Sequence, residues 1–235
     1  RIEVTNFVDP RAVPQFADAE EVLKGIKRKS DVTYIVGVLN DRALDRAIDA
    51  TEKGYGPDEI WMLGSTFSRG QNLINLGRTV EEISEIGQKV IRRAIGEGFK
   101  VTAVLGTMYG CPLGGEVPPI PRIVDLCKRM VDLGIPIIML GDTTGEANPF
   151  QVKQVISAIL DEVPEANYIA HFHDTRGAGI ANCVAALEMG ITLFDASFGS
   201  VGGQPAHHGP RYLKGLTGNT ATEDLVCVLE DMDVD

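Results

Sequence analysis

The stretch Tyr168-Ile169-Ala170-His171-Phe172-His173-Asp174 decides the fold. A short apolar run that turns polar at its end reads as a buried parallel strand emerging at a polar face. Side chains alternate along a strand, so His171 and His173 point to the same side. Taken alone, the pair has two readings. It is either two hydrogen-bonded core histidines or half of a divalent-metal site made of neutral imidazoles. The turn that follows, Asp174-Thr175-Arg176-Gly177, puts the pair at a strand end and favours the metal.

Outward from this strand, the chain repeats one rhythm. Strand-like runs near residues 2–5, 32–39, 58–64, 100–106, 135–140, 167–173 and 191–197 alternate with amphipathic helices near 18–29, 41–53, 79–97, 120–133, 149–162, 178–189 and 222–231. Helices are expected to stop at Gly54, Gly98, Gly134 and Gly190, because glycine takes the left-handed conformation past a helix end without penalty. Thr220-Ala221-Thr222-Glu223 has the capping-box pattern, which gives Glu223 a structural role. Strict β/α alternation implies a parallel sheet. No G-x-G-x-x-G follows the first strand, and polar residues cluster at the C-terminal ends of several strands. The expected fold is therefore a (β/α)8 TIM barrel rather than an open doubly wound sheet. Seven strands are legible, so the first barrel strand is expected before residue 1, and C-terminal elements are expected beyond residue 235. Residues 1–235 read as a single catalytic domain, incomplete at both ends.

Composition narrows the function. The chain has 235 residues, 44% hydrophobic and 23% charged, with a net charge of −11. This is a soluble globular composition. The longest basic run is Lys27-Arg28-Lys29, expected to end a helix where cations suit the macrodipole, so no nucleic-acid partner is expected. No signal peptide and no run of about 18 apolar residues is present, so no membrane partner is expected. Cys111, Cys127, Cys183 and Cys227 show no C-x-x-C spacing. Three of them fall in helix-like stretches and are expected to be buried, and a reducing, cytoplasmic setting fits them.

Other candidates accompany the histidines. Asp142, in Gly141-Asp142-Thr143-Thr144-Gly145, emerges at the tip of the preceding strand. It either orients a substrate or a metal-bound water, or caps the helix that follows Pro149. Glu3 and Thr5 are expected on one face of the first visible strand. A carboxylate facing a barrel interior needs a partner or water, so Glu3 either serves the site or pairs with an arginine. The glycine-rich loop Gly199–Gly209 carries His207 and His208, which are either acid/base groups of a lid or solvated side chains. Asn219 offers an amide oxygen to a hard cation, or simply closes a turn.

Several motifs together resemble the 3-hydroxy-3-methylglutaryl-CoA lyase family, within the metal-dependent TIM-barrel superfamily that also holds isopropylmalate and homocitrate synthases. They are Ile2-Glu3-Val4-Thr5-Asn6-Phe7-Val8 with Val13-Pro14-Gln15, then Gly110-Cys111-Pro112, Gly141-Asp142-Thr143-Thr144-Gly145, His171-Phe172-His173-Asp174-Thr175 and Gly218-Asn219-Thr220-Ala221-Thr222-Glu223-Asp224-Leu225. The resemblance implies Mg²⁺ or Mn²⁺ held by His171, His173, Asn219 and an aspartate expected before residue 1. It implies active-site roles for Glu3 and Asp142, with Thr143 at the substrate. The implied reaction is retro-Claisen cleavage of a 3-hydroxyacyl-CoA to an acetyl-CoA-type product and a keto acid, by a homodimer. Alternatives are a Claisen-type synthase running the reverse chemistry, or a metal-binding relative without lyase activity.

One departure stands out. Where the family's loop has a reactive cysteine, in Gly-Gly-Cys-Pro, this chain has Gln204, in Gly203-Gln204-Pro205. Glutamine neither gives nor takes a proton near neutral pH. The expectation is that Gln204 contacts substrate, that His207 or His208 handles the proton, and that Arg211 or Lys214 meets a CoA phosphate or substrate carboxylate. Changing both histidines to alanine is then expected to lower turnover at least about tenfold. Near-normal turnover in steady-state assays would remove that role.

Overall fold

The computed structural model describes residues 1–113, 117–203 and 218–234. Seven strands form one sheet: β1 (Ile2–Asn6), β2 (Tyr34–Val38), β3 (Glu59–Thr66), β4 (Lys100–Gly106), β5 (Ile137–Asp142), β6 (Asn167–Phe172) and β7 (Leu193–Asp195). Their order across the sheet is their order in the chain, and every pairing is parallel. Among the described residues, eight α-helices connect or flank them: α1 (Ala19–Gly25), α2 (Asp41–Glu52), α3 (Arg69–Leu76), α4 (Val80–Gly96), α5 (Ile120–Asp132), α6 (Pro149–Glu162), α7 (Gly179–Glu188) and α8 (Thr222–Asp231).

The sheet is curled. Six steps of about 4.8 Å would hold the outer strands of a flat sheet about 29 Å apart. Yet Glu3 on β1 interacts electrostatically with His171 on β6 and Asp195 on β7. This is the TIM-barrel arrangement, with seven parallel strands among the described residues.

The core lies between sheet and helices. Val36 and Val38, Ile60 and Met62, Ala103 and Leu105, Ile138 and Leu140, and Ala170 and Phe172 are all buried on the outer face of the strands. They alternate with inward residues such as Trp61, Thr102 and His171, as period-two strands demand. Near the starts of the strands, Arg1 donates to Glu59 and to Thr102 (2.9 Å), and the Thr102 hydroxyl donates to Glu59. This pairing gives the buried Glu59 carboxylate its countercharge.

Helix termini follow the chemistry of their residues. Gly54, Gly98, Gly134 and Gly190 all have positive φ, between 81° and 93°. Three expectations fail. Helix α1 ends at Gly25, where Ile26 turns extended, so Lys27-Arg28-Lys29 lies beyond it. Arg28 instead pairs with Asp58 and donates to the carbonyls of Tyr55 and Gly56. The Thr220–Glu223 capping box does not form. Thr220 donates its hydroxyl to the Phe172 carbonyl, and Glu223 accepts the Gly199 N–H at 2.9 Å. Tertiary partners outbid the local cap. Finally, Cys111, Cys127 and Cys183 are buried but Cys227 is exposed on α8, so only two of the three helical cysteines are inside. Helix α3 is an element the sequence reading does not include.

Helix α4 approaches β3 closely at Gly87, where a Cβ would lie 2.4 Å from the Leu63 carbonyl oxygen, while a Cβ at Gly96 in the same helix would touch nothing. Gly87→Ala is expected to lower the unfolding free energy by about 1–3 kcal/mol. Gly96→Ala should leave it unchanged or raise it by up to about 1 kcal/mol. Equal effects in chemical denaturation would contradict this packing.

Candidate metal centre

Strand β6 delivers the histidine pair. His171 lies opposite Gly141 of β5 and Asp195 of β7, and the chain remains extended through His173. Alternation then sends both rings inward, and their Nε2 atoms meet at 3.0 Å with the ring planes inclined at 69°. Asp195 Oδ2 lies 2.6 Å from His171 Nδ1. Burial works to lower the His171 pKa, but the carboxylates of Asp195, Glu3 and Asp142 outweigh it and the net shift is upward. Burial raises the Asp195 carboxyl, and its bond to His171 reverses this, so its net shift is downward.

Asn219 is brought in by backbone pairing. It forms an antiparallel bridge with His173, while Asp174 N–H donates to Gly218 O and Thr220 N–H to Phe172 O. Its amide nitrogen donates to the Val201 carbonyl at 3.0 Å. Its Oδ1 is buried and has no hydrogen-bond partner among the described residues. Gly202 permits this approach, since a Cβ there would lie 2.6 Å from Asn219 Nδ2, and its φ is +106°.

Glu3 reaches the site, but Thr5 does not accompany it. The β1–β2 register shifts between Glu3 and Thr5, so they lie opposite the consecutive residues Ile35 and Val36. A bulge of this kind turns the strand by one residue. Asn6, opposite Gly37, becomes the next inward side chain, and Thr5 turns into the outer core. Gly37 is required there, because a Cβ would overlap both Asn6 and Trp61. Glu3 is exposed to solvent, and no arginine pairs with it among the described residues. Crowding by protein atoms raises its carboxyl to about 7; Trp61 works against the rise and Asp195 adds to it.

Asp142 is the last residue of β5. It lies opposite Phe172, one residue out of phase with His171. Its Oδ1 accepts the N–H groups of Glu146 (2.9 Å) and Ala147 (3.1 Å), while Oδ2 is buried without a partner among the described residues. It does not cap the helix after Pro149, because Asn148 does so, accepting the Gln151 N–H at 3.1 Å. Burial raises the Asp142 carboxyl to about 7 against those two backbone bonds. Thr143 Oγ1 accepts the Thr107 N–H at 3.0 Å. Thr107, a β-branched residue at φ 55°, accepts N–H bonds from Phe67 and Ser68 and so ties the ends of β3, β4 and β5 together.

Asp195 and Thr107 had no motif to announce them. The signal for Asp195 was its position in a short strand next to the histidine strand. Gln204, His207, His208 and Arg211 lie outside the described residues. Among the described residues, no three His, Cys, Asp or Glu side chains are grouped to hold a metal ion. Two imidazoles meet here, and the residue bridged to His173 carries a buried amide oxygen without a hydrogen-bond partner among the described residues. No described helix is long and apolar enough to cross a membrane.

The HMGL-like family model matches residues 1–235. A hydroxymethylglutaryl-CoA lyase of Bacillus subtilis is 40% identical over 233 residues, covering 99% of this chain and 74% of that protein. The human mitochondrial hydroxymethylglutaryl-CoA lyase is 34% identical over 233 residues, covering 99% and 68%. Among solved structures, the B. subtilis HMG-CoA lyase superposes with a TM-score of 0.87 at 39% identity, covering all of this chain and 74% of that one. An HMG-CoA lyase from Acinetobacter baumannii in complex with coenzyme A and 3-methylmalate does so with 0.87 at 34% identity, covering 100% and 72%.

The raised Asp142 carboxyl carries a signed consequence. Its folded pKa, about 7, lies above the usual 3.8. Its contribution to stability is therefore full below about pH 4 and is lost as pH rises through about 7. Asp142→Asn keeps the neutral form throughout. Relative to the parent, the variant should gain stability between pH 5 and 8, by up to about 4 kcal/mol. Parallel urea melts with the same pH slope would contradict this.

Proposed function

The chain belongs to the HMGL-like family, and from that premise we propose that it is a divalent-metal-dependent carbon–carbon lyase acting on a 3-hydroxyacyl-CoA of the hydroxymethylglutaryl-CoA type. One observation carries the metal reading: two Nε2 atoms 3.0 Å apart, with a buried amide oxygen that lacks a partner among the described residues on Asn219, the residue bridged to His173. An imidazole–amide–carboxylate set suits Mg²⁺ or Mn²⁺ better than a soft ion. In this reading His171, His173 and Asn219 hold the ion, together with the aspartate expected before residue 1. When bound, the ion would supply Lewis-acid stabilisation of a developing alkoxide.

The chain's own residues then do the following. Glu3, on the inner wall and near neutrality, takes the proton of the substrate hydroxyl. The oxygen's electron pair forms the carbonyl of the keto product, and the adjacent carbon–carbon bond breaks toward the thioester. The resulting enolate carbon takes a proton to become the acetyl-CoA-type product, so atoms and charge balance. On sequence grounds alone, that proton belongs to His207 or His208, with Gln204 and Arg211 contacting substrate. Thr143 and Asp142 shape the floor beneath it. A homodimer in the reducing cytoplasm belongs to the same proposal, and coenzyme A recognition draws support from the A. baumannii relative.

The test is direct. Purified protein stripped with a chelator should not cleave hydroxymethylglutaryl-CoA, and Mg²⁺ or Mn²⁺ should restore cleavage. Glu3→Gln should lower kcat by about 10²–10⁴-fold with little change in KM. Metal-independent turnover would overturn the metal reading. Full activity of the Glu3 variant would overturn the proton role.

A further inference from the structure

His171 is held from both ends of its ring. At one end its Nε2 faces His173; at the other its Nδ1 is 2.6 Å from Asp195 Oδ2, a short charge-assisted hydrogen bond. The pairing is built into the sheet. His171 and Asp195 are register partners across β6 and β7, so alternation sends both side chains inward at the same level. Neither depends on a flexible loop for its position. The other charged groups facing Asp195 are Arg1 and His173, and Glu3 lies across the opening.

We propose that Asp195 is a positioning residue for His171. Its carboxylate accepts the Nδ1–H, which fixes the ring in the tautomer whose bare Nε2 lone pair is turned toward the site. A free imidazole samples both tautomers and rotates about two bonds. A carboxylate on the far nitrogen removes that freedom and makes the near nitrogen a better donor. Asp195 itself does not reach the reacting atoms. The role rests on His171 being a metal ligand, as proposed above, and the experiment separates the two.

The variants are Asp195→Asn, Asp195→Ala and His171→Ala, each checked for an unchanged circular dichroism spectrum and thermal midpoint. The first readout is ¹⁵N NMR of histidine-labelled, metal-free protein, which reports whether the His171 proton sits on Nδ1 or Nε2. The second is the equilibrium affinity for Mn²⁺ alone. The parent should show a protonated Nδ1. Asp195→Ala should show mixed tautomers and bind Mn²⁺ about 10–100-fold more weakly. Asp195→Asn keeps a neutral oxygen acceptor of the same shape and should fall between. Tautomer and affinity both unchanged in Asp195→Ala would overturn the positioning role while leaving the metal site intact. A parent-like Mn²⁺ affinity in His171→Ala would instead overturn the metal reading. The tautomer result then still decides whether Asp195 holds the ring.

Discussion

The in-register pairing of β5, β6 and β7 is the constraint on which the rest depends. A parallel sheet fixes which residues share a level, and here it aligns Gly141, His171 and Asp195. Gly141 brings no side chain to that level. Asp195 puts a carboxylate behind the first imidazole, and one more alternation brings the second imidazole beside it. A slip of one residue in β6 would turn both rings into the helical layer and Phe172 into the barrel.

The surrounding electrostatics follow from that geometry. Glu3, Asp195 and Asp142 all bias His171 toward a cation, so this end of the barrel is a local acidic well in a chain of net charge −11. The three carboxylates answer differently. Asp195 is held low by its imidazole bond, whereas Asp142 is pushed up by burial and Glu3, on an exposed residue, by the crowding of protein atoms around its carboxyl and by Asp195. Carboxyl groups whose pKa values are driven apart can divide the labour of charge stabilisation and proton transfer. Asn219, the third proposed donor, is tied to the histidine strand by its bridge to His173, so the backbone ladder and the proposed donor set are linked.

Much of this was legible in the sequence, because periodicity and glycine position are local signals. The β/α rhythm, the four glycine helix ends and the shared face of His171 and His173 needed only alternation and left-handed turns. The errors came where a distant partner overrode a local rule. Thr5 was assigned to the Glu3 face because a bulge leaves no mark in a five-residue strand. Glu223 looked like a capping residue until Gly199 claimed it, and of the two readings left open for Asp142 the helix cap falls because Asn148 fills that place. Asp195 escaped notice because its meaning lies in register with another strand, and register is not written in either strand alone.

The central claim is that His171, His173 and Asn219 hold one ion through Nε2, Nε2 and Oδ1. The most direct measurement is a crystal structure of the Mn²⁺-soaked protein, read by anomalous scattering. The account predicts a single peak bonded to those three atoms, with His171 Nδ1 still on Asp195. A peak elsewhere, or none, with the two imidazoles left hydrogen-bonded to each other, would contradict it.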